Sequence, residues 1–188
     1  MSTDKNQVRD SVSATMSRGR EIMSKNRIGG NVDIVLRGAD GNVKYKEKGF
    51  NLVTDVGDEI IATRLYDDAV NIVTGMKLGT GATAAAKNGA GAGMVAYISG
   101  SQEALDAAAT DATKGAGAGW RTTYVCTWIA GDVTDSAIAE VCLTNQTALA
   151  DNTSLAADTV ARYVFAATID KQAGDSLEVT WNIDVLGA

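Results

Sequence analysis

The sequence predicts a mainly β chain: an antiparallel, jelly-roll-like β-sandwich of about eight strands with one short helix and an extended or helical N-terminal arm. Three observations carry this. Leu177, Val179, Trp181, Ile183 and Val185 alternate strictly with Glu178, Thr180, Asn182 and Asp184, the period of a strand with one face in a core. A second run, Thr159 to Ile169, puts Tyr163, Phe165, Ala167 and Ile169 on one face. Outside the Gly/Ala-rich insertion, only one stretch of the body, after Thr54, has a helical signal. At 188 residues, 45% hydrophobic and 21% charged, the chain suits a single core. The organisation expected is an arm over residues 1–28 and a sandwich over 29–188, with a Gly/Ala-rich insertion at 79–119.

The elements follow in order. Val8, Val12, Met16 and Met23 recur on one helical face of the arm, but Ser11, Ser13, Thr15 and Ser17 are poor helix formers, so the arm is expected to order against a partner. Val32, Ile34 and Leu36 alternate with Asp33 and Arg37. A turn at Ala39-Asp40-Gly41-Asn42 leads to a second strand through Val43 and Tyr45, which makes a hairpin. Lys44, Lys46 and Lys48 face out along that strand and read as a solvated, protected edge before a docking patch. Asp55, accepting from the backbone at Asp58, is the expected cap of a helix with Val56, Ile60, Ile61 and Leu65 as its apolar stripe, ending at Asp67-Asp68. Ile72, Val73, Met76 and Leu78 form the next strand.

The insertion contains Gly-Ala-Gly-Ala-Gly twice, at Gly89 to Gly93 and Gly115 to Gly119. Its composition buries little apolar area, so it reads as a long excursion with hinge-like ends, carrying a strand at Met94 to Ile98 and an alanine-rich helix over Ser101 to Thr113. Arg121 to Ala130 is apolar on both faces and reads as a central strand; Ala137 to Leu143 follows the Gly131-Asp132 turn. The final strand alone could contribute about 10 kcal/mol by burial before entropy is counted, which places Trp181 in the core.

Composition excludes much chemistry. The chain has no His, the commonest general base and transition-metal ligand, which disfavours zinc sites and Ser-His-Asp or Cys-His catalysis. Gly79-Thr80-Gly81-Ala82-Thr83-Ala84 follows a strand, as in a dinucleotide fingerprint, but Gly89 to Gly93 interrupts the helix that motif requires. Asp67 with Asp68 and Asp132 with Asp135 could be imagined as acid and base or as calcium ligands; neither pair sits in a loop motif, and turn caps are the simpler reading. Cys126 and Cys142 read as two buried thiols, with a cross-strand disulfide as the alternative. Asn145-Gln146-Thr147 and Asn152-Thr153-Ser154 fit a glycosylation pattern that a cytoplasmic chain never uses. No apolar run is long enough for a membrane span and the start lacks a signal-peptide core, which sets the expectation of synthesis in a cytoplasm and of no membrane partner.

Charge is divided. Residues 1–48 hold ten Lys/Arg against six Asp/Glu, and residues 49–188 hold seven against seventeen, so a basic start precedes an acidic body within a net charge of −6. That footprint is too weak for nucleic acid and suits an acidic protein surface. The candidate contacts are Arg9, Arg18, Arg20, Lys25 and Arg27. No catalytic residue, metal ligand or cofactor site is nominated.

Four phrases carry a resemblance: Lys48 to Gly57 before a short helix, Met76 to Thr83, Ala139 to Leu143, and Ala161 to Phe165 leading to Ala173 through Trp181. In this order they resemble β-sandwich virion proteins of tailed bacteriophages. The resemblance implies a structural protein and no enzyme, found in that family as capsid decoration or cement proteins, head fibres and tail-fibre modules. The expectation is a cement protein of the capsid, assembled in the host bacterial cytoplasm, whose partners are the major capsid protein and copies of itself in a homotrimer. A tail-fibre or tail-tip module for host attachment is the alternative, and a carboxylate-dependent hydrolase a distant third.

Overall fold

A computed structural model describes residues 28–67, 72–109, 111–115 and 119–185. Two antiparallel five-stranded sheets face one another. The first is built from β1 (Ile28–Arg37), β2 (Val43–Phe50), β6 (Asp111–Gly115), β7 (Gly119–Trp128) and β10 (Ser176–Val185), in the order β2-β1-β10-β7-β6. The second holds β3 (Leu52–Val53), β4 (Gly75–Gly79), β5 (Glu103–Ala104), β8 (Asp135–Thr144) and β9 (Thr159–Lys171), in the order β3-β9-β8-β4-β5. Eight strands have five or more residues and two have only two, so the expected sandwich is observed with two short edge strands added. The helical stripe of the arm lies outside the described residues.

Alternation places the core. Val32, Ile34 and Leu36 of β1, Cys126 and Trp128 of β7, and Leu177, Val179 and Trp181 of β10 point at Met76, Leu78, Val141, Leu143, Ala161 and Phe165 of the second sheet, all buried. Trp181 is fully buried, as its alternation requires. Val185, on the same face of β10, is not: it is 46% exposed. The β1–β2 turn is as read, with Gly41 at φ +78° and Asp40 accepting from the Asn42 backbone N–H.

Several boundaries move. Helix α1 (Asp55–Thr63) is capped by Thr54, whose Oγ1 accepts from the Gly57 N–H at 3.2 Å, and Asp55 sits in the first turn. Thr54 wins because its hydroxyl also donates to backbone carbonyls of β9, at Thr159 and Val160, which fixes it at the helix start. Leu65 lies beyond the helix and is exposed; Ile72 and Val73 precede β4, Val73 buried and Ile72 exposed. Met94 to Ile98 is no strand, having only an isolated bridge between Gly79 and Tyr97. The helix expected over Ser101 to Thr113 is replaced by β5, a turn and β6, because residues 111–115 pair with β7 and strand pairing overrides alanine propensity.

One contact joins the sheets through a carboxylate. The β8–β9 ladder pairs Ile138 with Ile169 and Glu140 with Val164, so residues 165–168 bulge outside regular pairing. Glu47, on the inward face of β2, accepts the Ala166 N–H at 3.0 Å and the Tyr163 and Tyr45 hydroxyls. Gly49 makes room for this, since a Cβ there would lie 2.1 Å from the Tyr163 hydroxyl. Burial and the Glu47 carboxylate push the Tyr45 phenol up to about 12. Glu47→Ala should lower stability by about 1–3 kcal/mol, as expected for stranding partly buried donors, with the urea midpoint falling and the slope unchanged.

Candidate functional site

The outer face of the second sheet carries the polar groups that organise the insertion. In register, Lys77, Cys142 and Arg162 form one row across β4, β8 and β9, and Gly79, Glu140 and Val164 form the next. Alternation alone would give this face to water, yet Lys77, Glu140 and Arg162 are all fully buried, because residues 80–102 and 145–158 fold over them. Glu140 is the centre. Its carboxylate accepts Arg162 Nε at 2.7 Å and the backbone N–H groups of Gly81, Val95 and Ala96 at 3.0, 3.1 and 2.8 Å. Arg162 Nη1 donates to the Gly91 carbonyl at 3.1 Å. A buried charge is costly unless it is paired and hydrogen-bonded, and here the insertion backbone supplies the bonds to the Glu140 carboxylate and to Arg162 Nη1, while Arg162 Nη2 is buried without a partner in the protein.

This explains the glycines. A Cβ at Gly81 would lie 2.4 Å from Glu140 Oε1, and one at Gly93 would lie 2.7 Å from the Ala156 backbone nitrogen. The first Gly-Ala pentamer is therefore packed, with Gly91 to Gly93 buried and a 3₁₀ turn over Gly89–Gly91. It is not a hinge. Of the second pentamer, Gly115 pairs with Gly119 at the end of the β6–β7 ladder; residues 116–118 lie outside the described residues.

Lys77 does for the 145–153 loop what Glu140 does for the insertion. Its ammonium donates to Gln146 Oε1, to the Ala150 and Asn152 carbonyls at 2.8 Å, and to Asn152 Oδ1 at 3.1 Å. Burial holds it below the usual lysine range. Asn152 is thus a structural acceptor and Asn145 is buried. Lys171, also buried, donates to the Ile129 and Asp132 carbonyls and shapes the turn before β8.

The other sequence candidates resolve into structure. Gly79-Thr80-Gly81 ends β4 and packs on Glu140, with no helix behind it. Asp132 accepts the Ile129 N–H and Asp135 the Ala137 N–H, both as turn caps. Asp67 is exposed, and Asp68 lies outside the described residues. Among the described residues no group of three His, Cys, Asp or Glu could hold a metal ion. Cys126 faces the core from the first sheet and Cys142 lies under the insertion on the second, both free and buried. Burial pushes the Cys142 thiol up to about 12, so it is inert.

Of the lysine row, Lys44 pairs with Asp175 at 2.6 Å and Lys48 with Asp33 at 3.3 Å, leaving Lys46 exposed on the β2 edge. Arg9, Arg18, Arg20, Lys25 and Arg27 all lie outside the described residues. The chain reaches the sandwich from them at Ile28, the first residue of β1. No described helix is long and apolar enough to cross a membrane. No protein-family model, curated protein or solved structure gives a significant match to this chain.

Sequence reasoning missed Glu140, Arg162, Lys77 and Glu47. The only signal available was an ionisable residue inside an otherwise apolar strand, as in Ala139-Glu140-Val141-Cys142-Leu143. Glu140→Gln keeps the shape but leaves Arg162 as an unpaired buried cation. It should cost about 3–5 kcal/mol in urea unfolding, and limited proteolysis should cut first between residues 82 and 90.

A pH dependence follows from Asp175. Its bond from Lys44, then the Gln172 N–H, holds the carboxyl below its ordinary value near 3.8. A depressed carboxylate stabilises the fold above the unfolded-state value and loses that contribution as pH falls through the folded one. Asp175→Asn should therefore be less stable than the parent at pH 7, and the gap should close below pH of about 4 when thermal midpoints are compared.

Proposed function

We propose that this chain is a structural protein of a tailed-bacteriophage virion, a capsid cement or decoration protein that binds the assembled shell and stabilises it without catalysis. The observation that carries the reading is the ordered set of four phrases resembling that family, which fall on the parts that build this sandwich. Lys48 to Gly57 is the crossing from β2 through β3 into α1. Met76 to Thr83 is β4 and the turn beneath Glu140; Ala139 to Leu143 is β8; Ala161 to Trp181 is β9 and β10.

Charge supplies the mode of attachment. Residues 1–27 hold six Lys/Arg against three Asp/Glu, while the whole chain is −6, so a basic arm leads an acidic sandwich. Arg9, Arg18, Arg20, Lys25 and Arg27 would meet an acidic surface of the major capsid protein, and three copies around a symmetry axis would multiply a weak contact into a stable one. Binding only the assembled shell stabilises it by mass action.

A second reading, a tail-fibre or tail-tip module, is favoured by exposed aromatics: Phe50 is 90% and Tyr66 is 82% exposed, at the end of β2 and after α1. Copy number separates the two, since hundreds of copies per particle by gel densitometry mean shell and a few mean tail. For the cement reading, replacing Arg9, Arg18, Arg20, Lys25 and Arg27, five of the six arm cations, with Ser in the full chain should abolish retention on purified shells and flatten its salt dependence. Undiminished retention would remove the arm from the contact.

A further inference from the structure

The core face of the first sheet continues past the end of the second. Trp120, Val185 and Ile28 stand side by side on β7, β10 and β1, two residues beyond the row of Thr122, Ile183 and Gly30. Their parity is that of Trp128, Trp181 and Val32, which are fully buried. Ile183 is still 5% exposed, but the next row opens abruptly, with Ile28 at 37%, Val185 at 46% and Trp120 at 57%. The second sheet stops short because β3 has two residues and β4 begins only at Gly75. The result is an apolar ledge on an otherwise closed core.

We propose that this ledge is the docking site of the chain's own N-terminal arm, with Val12, Met16 and Met23 covering Trp120, Val185 and Ile28. Three observations select this occupant. The arm joins the sandwich at Ile28, which is part of the ledge, so its local concentration there is set by a short tether. Neighbouring strands are about 4.8 Å apart, which makes the ledge about 10 Å wide. The five residues from Met23 to Ile28 can span up to about 17 Å, enough for Met23 to reach Trp120. The apolar stripe Val8, Val12, Met16 and Met23 belongs to a segment too rich in Ser and Thr to hold a helix unaided, and methionine adapts to shallow apolar surfaces. Finally, the arm carries +3 within a chain of −6, so the remainder is −9 and attracts it.

The inference deepens the role given to the arm above and rests on that reading only for what the basic residues meet. With the apolar stripe held down, the arginines are presented from a fixed root and do not trail from a free tail, which reduces the ordering cost of attachment. The experiment uses the free, full-length protein, so it can succeed or fail whether or not capsid binding is found.

Trp120 is itself the probe, because the other two tryptophans, Trp128 and Trp181, are fully buried. Its emission is isolated by subtracting a Trp120→Phe variant, and its accessibility is read by acrylamide quenching. The parent chain should show a blue-shifted, protected Trp120, and the double variant Val12→Asp, Met16→Asp should shift the emission to the red and raise the quenching constant. Both substitutions lie in the arm, so circular dichroism and urea midpoints of the sandwich serve as controls for folding. Equal quenching in the two proteins would overturn the proposal. Protection that grows with protein concentration and survives the double variant would also overturn it, since the ledge would then be covered by a second copy.

Discussion

A carboxylate buried on the wrong face of a sheet is the constraint around which this molecule is arranged. Glu140 lies on the outer side of β8, where solvent would be its natural partner, and it is fully buried. Its charge is balanced by Arg162 on β9, and its remaining capacity is taken by three backbone N–H groups of the insertion. The dependence runs both ways. Without the insertion the ion pair is an ordinary surface contact worth little; without the ion pair the insertion has few apolar side chains to hold it down. Each makes the other structural.

The same device recurs at three further places. Lys77 gathers the carbonyls of the 145–153 loop, Lys171 those of the turn before β8, and Glu47 satisfies a backbone N–H freed by the bulge in β9. A chain without proline has few residues that stiffen a loop through the unfolded state. Here the irregular segments are fixed from the folded side by single charged side chains: Glu140, Lys77 and Lys171 each collect two or more main-chain groups, and Glu47 collects one together with two tyrosine hydroxyls. The glycines fit the same scheme, since Gly81 and Gly49 sit where a side chain would collide with the collecting group or its partner.

Legibility in the sequence divides along this line. Alternation located β1, β9 and β10 and placed Trp181, Leu177 and Ile34 inside, because a period of two reports directly on a half-buried face, while β7 was legible as a run apolar on both faces and β8 as the run after the Gly131-Asp132 turn. The same rule is silent on the burial of the opposite face, where Lys77, Glu140 and Arg162 lie. Their burial depends on residues far along the chain, and no local pattern carries that information. Ser101 to Thr113 fails for a related reason: its alanines favour a helix in isolation, but the unpaired edge of β7 offers 111–115 a ladder. The α1 cap shifted by one residue because Thr54 is tied to β9, a partner more than a hundred residues away.

The fold supplies a two-sheet body whose polar loops are tied to buried charged side chains, with an apolar ledge where the chain enters β1. The account stands on Glu140 locking the insertion. Amide hydrogen exchange on the intact protein tests this most directly, by comparing Gly81, Val95 and Ala96 with the exposed residues Ala82 to Ala84 of the same segment. The account predicts that the three amides bonded to Glu140 exchange as slowly as those of β8 and β9 while Ala82 to Ala84 exchange freely; uniform fast exchange across residues 81–96 would contradict it.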